Sequence, residues 1–192
     1  TSIAALLAAG GMAIGMAMSG TVQNFAGGLI LLAFKPFKVG EFIETQGVFG
    51  RVDSISIVHT KIVTTDKREI TIPNGALSNG TINNYSANPV RRVDLKVGVS
   101  YGCEAEKVKA ELIRIIGSQE KILDSKTPGA KDPSVVLSGL KDSSVEFYIR
   151  AWVKAEDYWE VLYWLNENVY TQLPEQGISF PFPQIDIHLK HN

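Results

Sequence analysis

Met12 and Met16 are the side chains whose chemistry depends most directly on where they stand. They lie one helical turn apart in a stretch, Thr1 to Phe34, that carries no charged side chain. On a helix that spacing sets one thioether above the other. A thioether is flexible, polarisable and unable to ionise, so its contribution is to present an apolar surface that offers water little to bond. Side chains capable of covalent or metal chemistry do not gather elsewhere. His59, His188 and His191 show no ligand spacing with Asp or Glu, and no Ser/His/Asp set assembles. Gly10-Gly11 and Gly27-Gly28 lack the strand and lysine of a phosphate loop. The sequence therefore predicts no enzyme, no cofactor and no metal. Nor does it predict a nucleic-acid partner, since net charge is −1 and basic and aromatic residues do not interleave.

The element that must position the methionines is a membrane-spanning helix, because lipid allows a backbone only when every N–H and C=O is paired internally. Its six glycines and eight alanines are unusual for a lipid-facing span. From Ser2 to Ser19 such a helix is about 27 Å long, roughly one hydrocarbon thickness. Residues stepped at about 100° fall into distinct faces. Ala5, Ala9 and Ala13 form one small-residue flank, and Ala8, Gly11 and Gly15 form another, about 125° away. Ile3, Leu7, Ile14 and Met18 lie on the far side, and Met12 and Met16 fall between the two flanks. Flanks at that angle fit a closed ring of roughly six to eight helices, the alanine flank of one against the glycine flank of the next, with methionines inward. The same angles fit a packed bundle in which the methionines fill gaps.

Gly20 predicts the end of this span, as a kink. Beyond it Val22, Phe25, Leu29 and Leu32 share one face, and Gln23, Asn24, Gly27 and Gly28 another, the pattern of a tilted interfacial half-helix lying on the next domain. Pro36 stops it. Lys35 and Lys38 place the residues that follow in the cytoplasm by the positive-inside rule. Both are candidates for contact with lipid headgroups or acidic loops, or are plain solvated lysines. A start at Thr1, with no basic flank, predicts the later part of a longer membrane protein. Cys103 is the sole cysteine, so no internal disulfide forms and a reducing compartment is expected.

Charge rises along the chain. Residues 35–92 carry eight basic and five acidic side chains, and residues 93–192 eleven and fifteen. In the middle region strands are predicted at Glu41–Thr45, Arg51–Val58, Lys61–Thr65, Glu69–Ile72 and Thr81–Tyr85, with breaks at Gly47, Asp66–Lys67 and Pro73–Asn74–Gly75. Five short strands make a small barrel or curled sheet whose open edges can pair with neighbouring subunits. From Arg92 the pattern becomes strand Val93–Val99, helix Glu104–Ile116, strands Ser134–Leu140 and Val145–Trp152, helix Asp157–Leu173 and a last strand Gln184–Leu189. Asp157 is the predicted cap of that second helix, and Trp152, Trp159 and Trp164 are predicted core. This β-α-β-β-α-β order is the split βαβ, ferredoxin-like arrangement.

The chain resembles the bacterial small-conductance mechanosensitive channel family over essentially its whole length. The resemblance rests on the Gly/Ala-rich helix, then Phe34-Lys35-Pro36-Phe37-Lys38-Val39-Gly40-Glu41 and Ile72-Pro73-Asn74-Gly75. It continues in Asn84-Tyr85-Ser86, Pro89-Val90-Arg91-Arg92 and Gly177-Ile178-Ser179-Phe180-Pro181-Phe182-Pro183-Gln184. It implies a membrane protein of α+β class in three parts. Residues 1–34 would be the kinked pore-lining helix and half-helix, 35–92 a small Sm-like β domain, and 93–192 a ferredoxin-like cytoplasmic domain ending in a strand toward an axial barrel. It implies a homoheptamer in the bacterial inner membrane, opened by tension, passing inorganic ions and small osmolytes on hypo-osmotic shock. It also implies two preceding spans. By position the gate falls on Met12 and Met16, where the family usually has leucines, and the kinks on Gly20 and Gly28. Coupling of the half-helix to the cytoplasmic domain falls on Asn24 and Phe34. The rival reading is a non-conducting, membrane-anchored assembly module.

Overall fold

Uncharged and rich in small residues, the N-terminal stretch forms one helix, α1 (Ser2–Phe34), in a computed structural model that describes residues 2–188. Thr1 and Leu189, at the ends of two predicted elements, lie outside the described residues. At about 1.5 Å per residue α1 is roughly 50 Å long. Helical bonding passes through Gly20 without interruption, so the two predicted pieces are one continuous helix. A glycine costs a helix about 1 kcal/mol, too little alone to break it. The helix ends where predicted, for a reason that includes the backbone. Lys35 N–H donates to Leu31 O at 2.9 Å, with Lys35 at φ +47° and Pro36 next. This is the left-handed helix stop usually made by glycine, backed by a residue that cannot continue the helix.

α1 belongs to a first compact unit, Thr1–Ala87, with a five-stranded antiparallel sheet. The strands are β1 (Phe42–Thr45), β2 (Val48–Ile55), β3 (His59–Val63), β4 (Glu69–Pro73) and β5 (Asn83–Asn84), in the order β4-β3-β2-β1-β5. All five predicted strands are present. β2 starts three residues early because Gln46 (φ 50°) and Gly47 (φ 75°) make a two-residue hairpin that pairs Thr45 with Val48. The predicted break at Pro73–Asn74–Gly75 is instead the start of a short helix, α2 (Asn74–Ser78). The core joins Leu31 of α1 to Phe37, Ile43, Val52, Ile62, Ile72 and Leu77.

The second unit, Asn88–Asn192, contains β6 (Val90–Val99), α3 (Ala105–Gly117), β7 (Ser134–Leu140), β8 (Val145–Lys154) and α4 (Tyr158–Glu175). The sheet order is β6-β8-β7. Val108, Leu112, Ile115 and Ile116 of α3 and Val161, Leu165, Val169 and Leu173 of α4 cover one sheet face. Three corrections follow. Asp157 lies in a 3-10 turn and makes no cap; its carboxylate accepts from Lys121 Nζ at 2.8 Å. Trp159 is 49% exposed, edge-on to Tyr158 and tilted against Tyr163, outside the core. The predicted last strand finds no partner within the single chain: residues 184–188 pair with none of its strands. Ser179 O accepts from Ser100 N–H at the end of β6, and Gln184 N–H donates to Ser143 Oγ in the β7–β8 turn. These bonds, with Pro181 and Pro183 between them, lead the chain past the sheet end rather than along β6. The free edge of β6 is left as a shallow pocket lined by Leu95, Val97, Asn166, Tyr170 and Phe180.

Candidate functional site: an apolar helix and its seat

Two lengths of α1 have different surroundings. From Ser2 to Gln23 every residue is exposed in the single chain, including Met12 at 66% and Met16 at 67%. A Cβ added at Gly10, Gly11, Gly15 or Gly20 would meet nothing within 4 Å. The flanks Ala5, Ala9, Ala13 and Ala8, Gly11, Gly15 are thus presented outward on a helix long and apolar enough to cross a membrane. Met12 and Met16 stand a turn apart, as their spacing requires.

From Asn24 onward the helix sits in a socket. A Cβ on Gly27 would lie 2.6 Å from the Asn74 carbonyl, and one on Gly28 only 2.0 Å from Ile57 O. Both glycines are therefore places where backbone meets backbone, which any side chain would prevent. Asn24 Oδ1 accepts from Gly75 N–H at 3.0 Å, and Gly75 itself has no room for a Cβ beside Asn24 and Gln23. Leu31, 1% exposed, enters the core.

The socket is held from below by one buried amide. Asn74 Oδ1 accepts from Thr60 Oγ1 at 2.8 Å, its Nδ2 donates to Ser56 O at 2.7 Å, and its backbone N–H donates to Val58 O at 3.0 Å. A fully buried asparagine is stable only with its polar atoms paired, and here that pairing fixes the 56–60 turn against α2.

Below the socket the helix exit is tied to β5. Asn84 Nδ2 donates to Pro36 O at 3.1 Å and to Glu41 Oε2 at 2.8 Å, and the same Glu41 oxygen accepts from Lys38 N–H at 2.9 Å. Tyr85 OH donates to Glu44 Oε2 at 2.5 Å. That bond, with a second from Asn83, holds the Glu44 carboxyl below the usual carboxylate range.

Of the residues singled out in the sequence, the structure brings Asn24 and Gly28 into the socket. It leaves Phe34 80% exposed, outside the core that Leu31 and Phe37 enter. Gly28, expected as a flexible point, occupies the tightest contact of the helix base. Lys35 and Lys38 side chains are exposed, and both residues also act through their backbones. Sequence reasoning missed Gly27, Leu31, Asn74 and Gly75 as parts of the socket. The grouping of Gln23, Asn24, Gly27 and Gly28 on one face was the available signal for the helix side. Nothing local marks Asn74, whose partners lie 14 and 18 residues away.

Comparison with known proteins returns one family. Residues 20–87 match the family model described as "Mechanosensitive ion channel, beta-domain", and residues 93–180 the one described as "Mechanosensitive ion channel MscS, C-terminal". The chain is 42% identical over 189 residues to an MscS family protein of Synechocystis sp., covering 98% of this chain and 62% of that one. It is 37% identical over 181 residues to the small-conductance mechanosensitive channel of Edwardsiella ictaluri, covering 94% of this chain and again 62% of the relative. It thus spans about three fifths of the length of these curated relatives. Its fold is similar to the crystal structure of Helicobacter pylori MscS in the closed state. That match has TM-score 0.90 and 32% identity, covering 100% of this chain and 74% of that one.

Proposed function

The chain belongs to the small-conductance mechanosensitive channel family, and on that premise we propose that it forms the pore-lining and cytoplasmic part of a tension-gated channel. The observation that carries the reading is the contrast within α1. Its upper length is apolar and exposed on every side, while its base is locked into the β unit. On an uncharged helix in lipid, small-residue faces are the surfaces that allow close packing by other helices. Copies of this chain supply them, Ala5, Ala9 and Ala13 of one against Ala8, Gly11 and Gly15 of the next, in a ring we take as a heptamer.

In that ring Met12 and Met16 face the axis and close it without a plug. Water withdraws from a narrow apolar neck, and an ion then meets a desolvation barrier. Tension widens the ring as the flanks slide, with glycine leaving no side chain to catch. Each helix tilts above its base, which stays seated in the Gly27–Gly28 socket, where Asn24 holds Gly75. The permeants are inorganic ions and small osmolytes, released on hypo-osmotic shock across a bacterial inner membrane, with residues after about 35 in the cytoplasm. The exposed Lys35 and Lys38 then follow the helix on its cytoplasmic side, where contact with membrane lipids is open to them.

Single-channel recording from liposomes on a tension ramp tests the reading. Unitary currents that appear below the lytic tension are expected. Protein present in the membrane with no such currents leaves the non-conducting assembly module as the reading.

A further inference from the structure

The chain passes from its first unit to its second between Ala87 and Asn88, and it is held on both sides of that joint. On the near side Ser86 Oγ accepts from Phe42 N–H at 2.9 Å, and the further holder is Asn84. Its Oδ1 accepts from the N–H groups of Ser86 and Ala87, each at 2.9 Å. Its Nδ2 donates to Pro36 O and Glu41 Oε2. Two donor and two acceptor sites are all a carboxamide has, and all are used. On the far side Pro89 O accepts from Ala155 N–H at 2.9 Å, and Val90 begins the β6–β8 ladder opposite Lys154.

One side chain therefore joins the exit of α1, at Pro36, to the residues by which the chain leaves the unit. Between Ala87 and Pro89 only Asn88 separates the two holds. An extended residue spans at most about 3.6 Å, so the joint has little slack. A displacement of the start of β6 by more than a few ångströms draws on the Phe42–Ser86 bond and on Asn84, and through Asn84 on Pro36 and Glu41.

Resting on the channel reading above, we propose that Asn84 is a positioning residue for gating, which ties the exit of the pore-lining helix to the second unit through the short joint at Asn88. The tie restrains the exit against the movement that opens the pore, and its release makes opening easier.

Two changes cut the tie at different points. Asn84→Asp keeps both acceptor bonds to Ser86 and Ala87 but loses both donors and sets a carboxylate beside Glu41. A Gly-Ser-Gly insertion after Asn88 leaves every bond of Asn84 intact and adds slack. In the full-length protein in liposomes, each is expected to raise the open-to-closed ratio at the parent's half-opening tension about tenfold, the scale of a charged hydrogen bond. The doubly altered protein should match the insertion alone, because slack at the joint leaves Asn84 nothing to transmit.

If Asn84→Asp shifts gating and the insertion does not, Asn84 is only a brace of the β unit and the inference is overturned. Additive effects overturn it as well. A conducting parent whose two variants gate like it overturns the inference and leaves the channel reading standing. A silent parent removes the channel reading and this inference with it.

Discussion

Gly15 and Gly28 sit on the same helix, thirteen residues apart, and they differ in what surrounds them. At Gly15 an added Cβ meets nothing in the single chain; at Gly28 it meets the Ile57 carbonyl at 2.0 Å. One glycine is shaped for a neighbour outside the chain and the other for a neighbour within it. In the proposed ring the upper small residues let neighbouring helices approach and slide, while the lower set fixes the helix base to its own β unit. Mobility above and fixity below are what a lever needs.

The largest effect expected from this contrast is on folding. Gly28→Ala drives a methyl into backbone that cannot turn aside, and should destabilise the first unit by about 3 kcal/mol. Chemical unfolding of the detergent-solubilised protein reads it, and an unchanged midpoint would mean the socket yields. Gly15→Leu is the converse. Its unfolding midpoint should stay within about 0.5 kcal/mol of the parent, while patch-clamp traces lose normal opening as the flanks jam. Traces like the parent's would remove Gly15 from the sliding face. Met16→Ser tests what lies between the flanks. A hydroxyl in the neck offers water a partner, so leak current at low tension and poor growth of expressing cells are expected. Unchanged opening tension and growth would take Met16 out of the gate. The smallest effect belongs to the helix stop. Lys35 holds a backbone conformation that costs an ordinary residue about 1 kcal/mol, part of which glycine returns as chain entropy. Lys35→Gly should stabilise the first unit by a few tenths of a kcal/mol, measured by the same unfolding. A loss of stability instead would show that its side chain contributes more than its backbone costs.

Those four outcomes also mark what was legible beforehand. Elements defined by local pattern read well. β7 has the bounds its apolar run predicts, and all four residues picked for the inner side of α3 are buried. The five short strands of the first unit were recognisable from alternation and turn residues. What was not legible depends on partners distant in sequence. Asn74 reads locally as a turn residue, and only its bonds to Thr60 and Ser56 make it the support of the socket. Asp157 reads as a cap until Lys121, 36 positions away, takes its carboxylate. The segment after Gln184 alternates like a strand, yet Ser100 and Ser143 draw it away from the edge it would join. On α1 the residue types defined faces, and of the two residues named for coupling, Asn24 lies on the face that meets the chain's own β unit and Phe34 does not. That face is the polar and small one, and bulky Val22, Phe25, Leu29 and Leu32 remain exposed.

The socket also acts as a gauge of depth. Above Asn24 the helix is uncharged and exposed through the described residues 2–23. Because the base cannot shift along the helix without forcing Gly27 and Gly28 out of register with Asn74 and Ile57, the height at which that surface leaves the β unit is fixed. In the proposed channel, a bilayer that thins under stretch meets a helix whose depth is set from below, and mismatch joins lateral area as a quantity the helix registers.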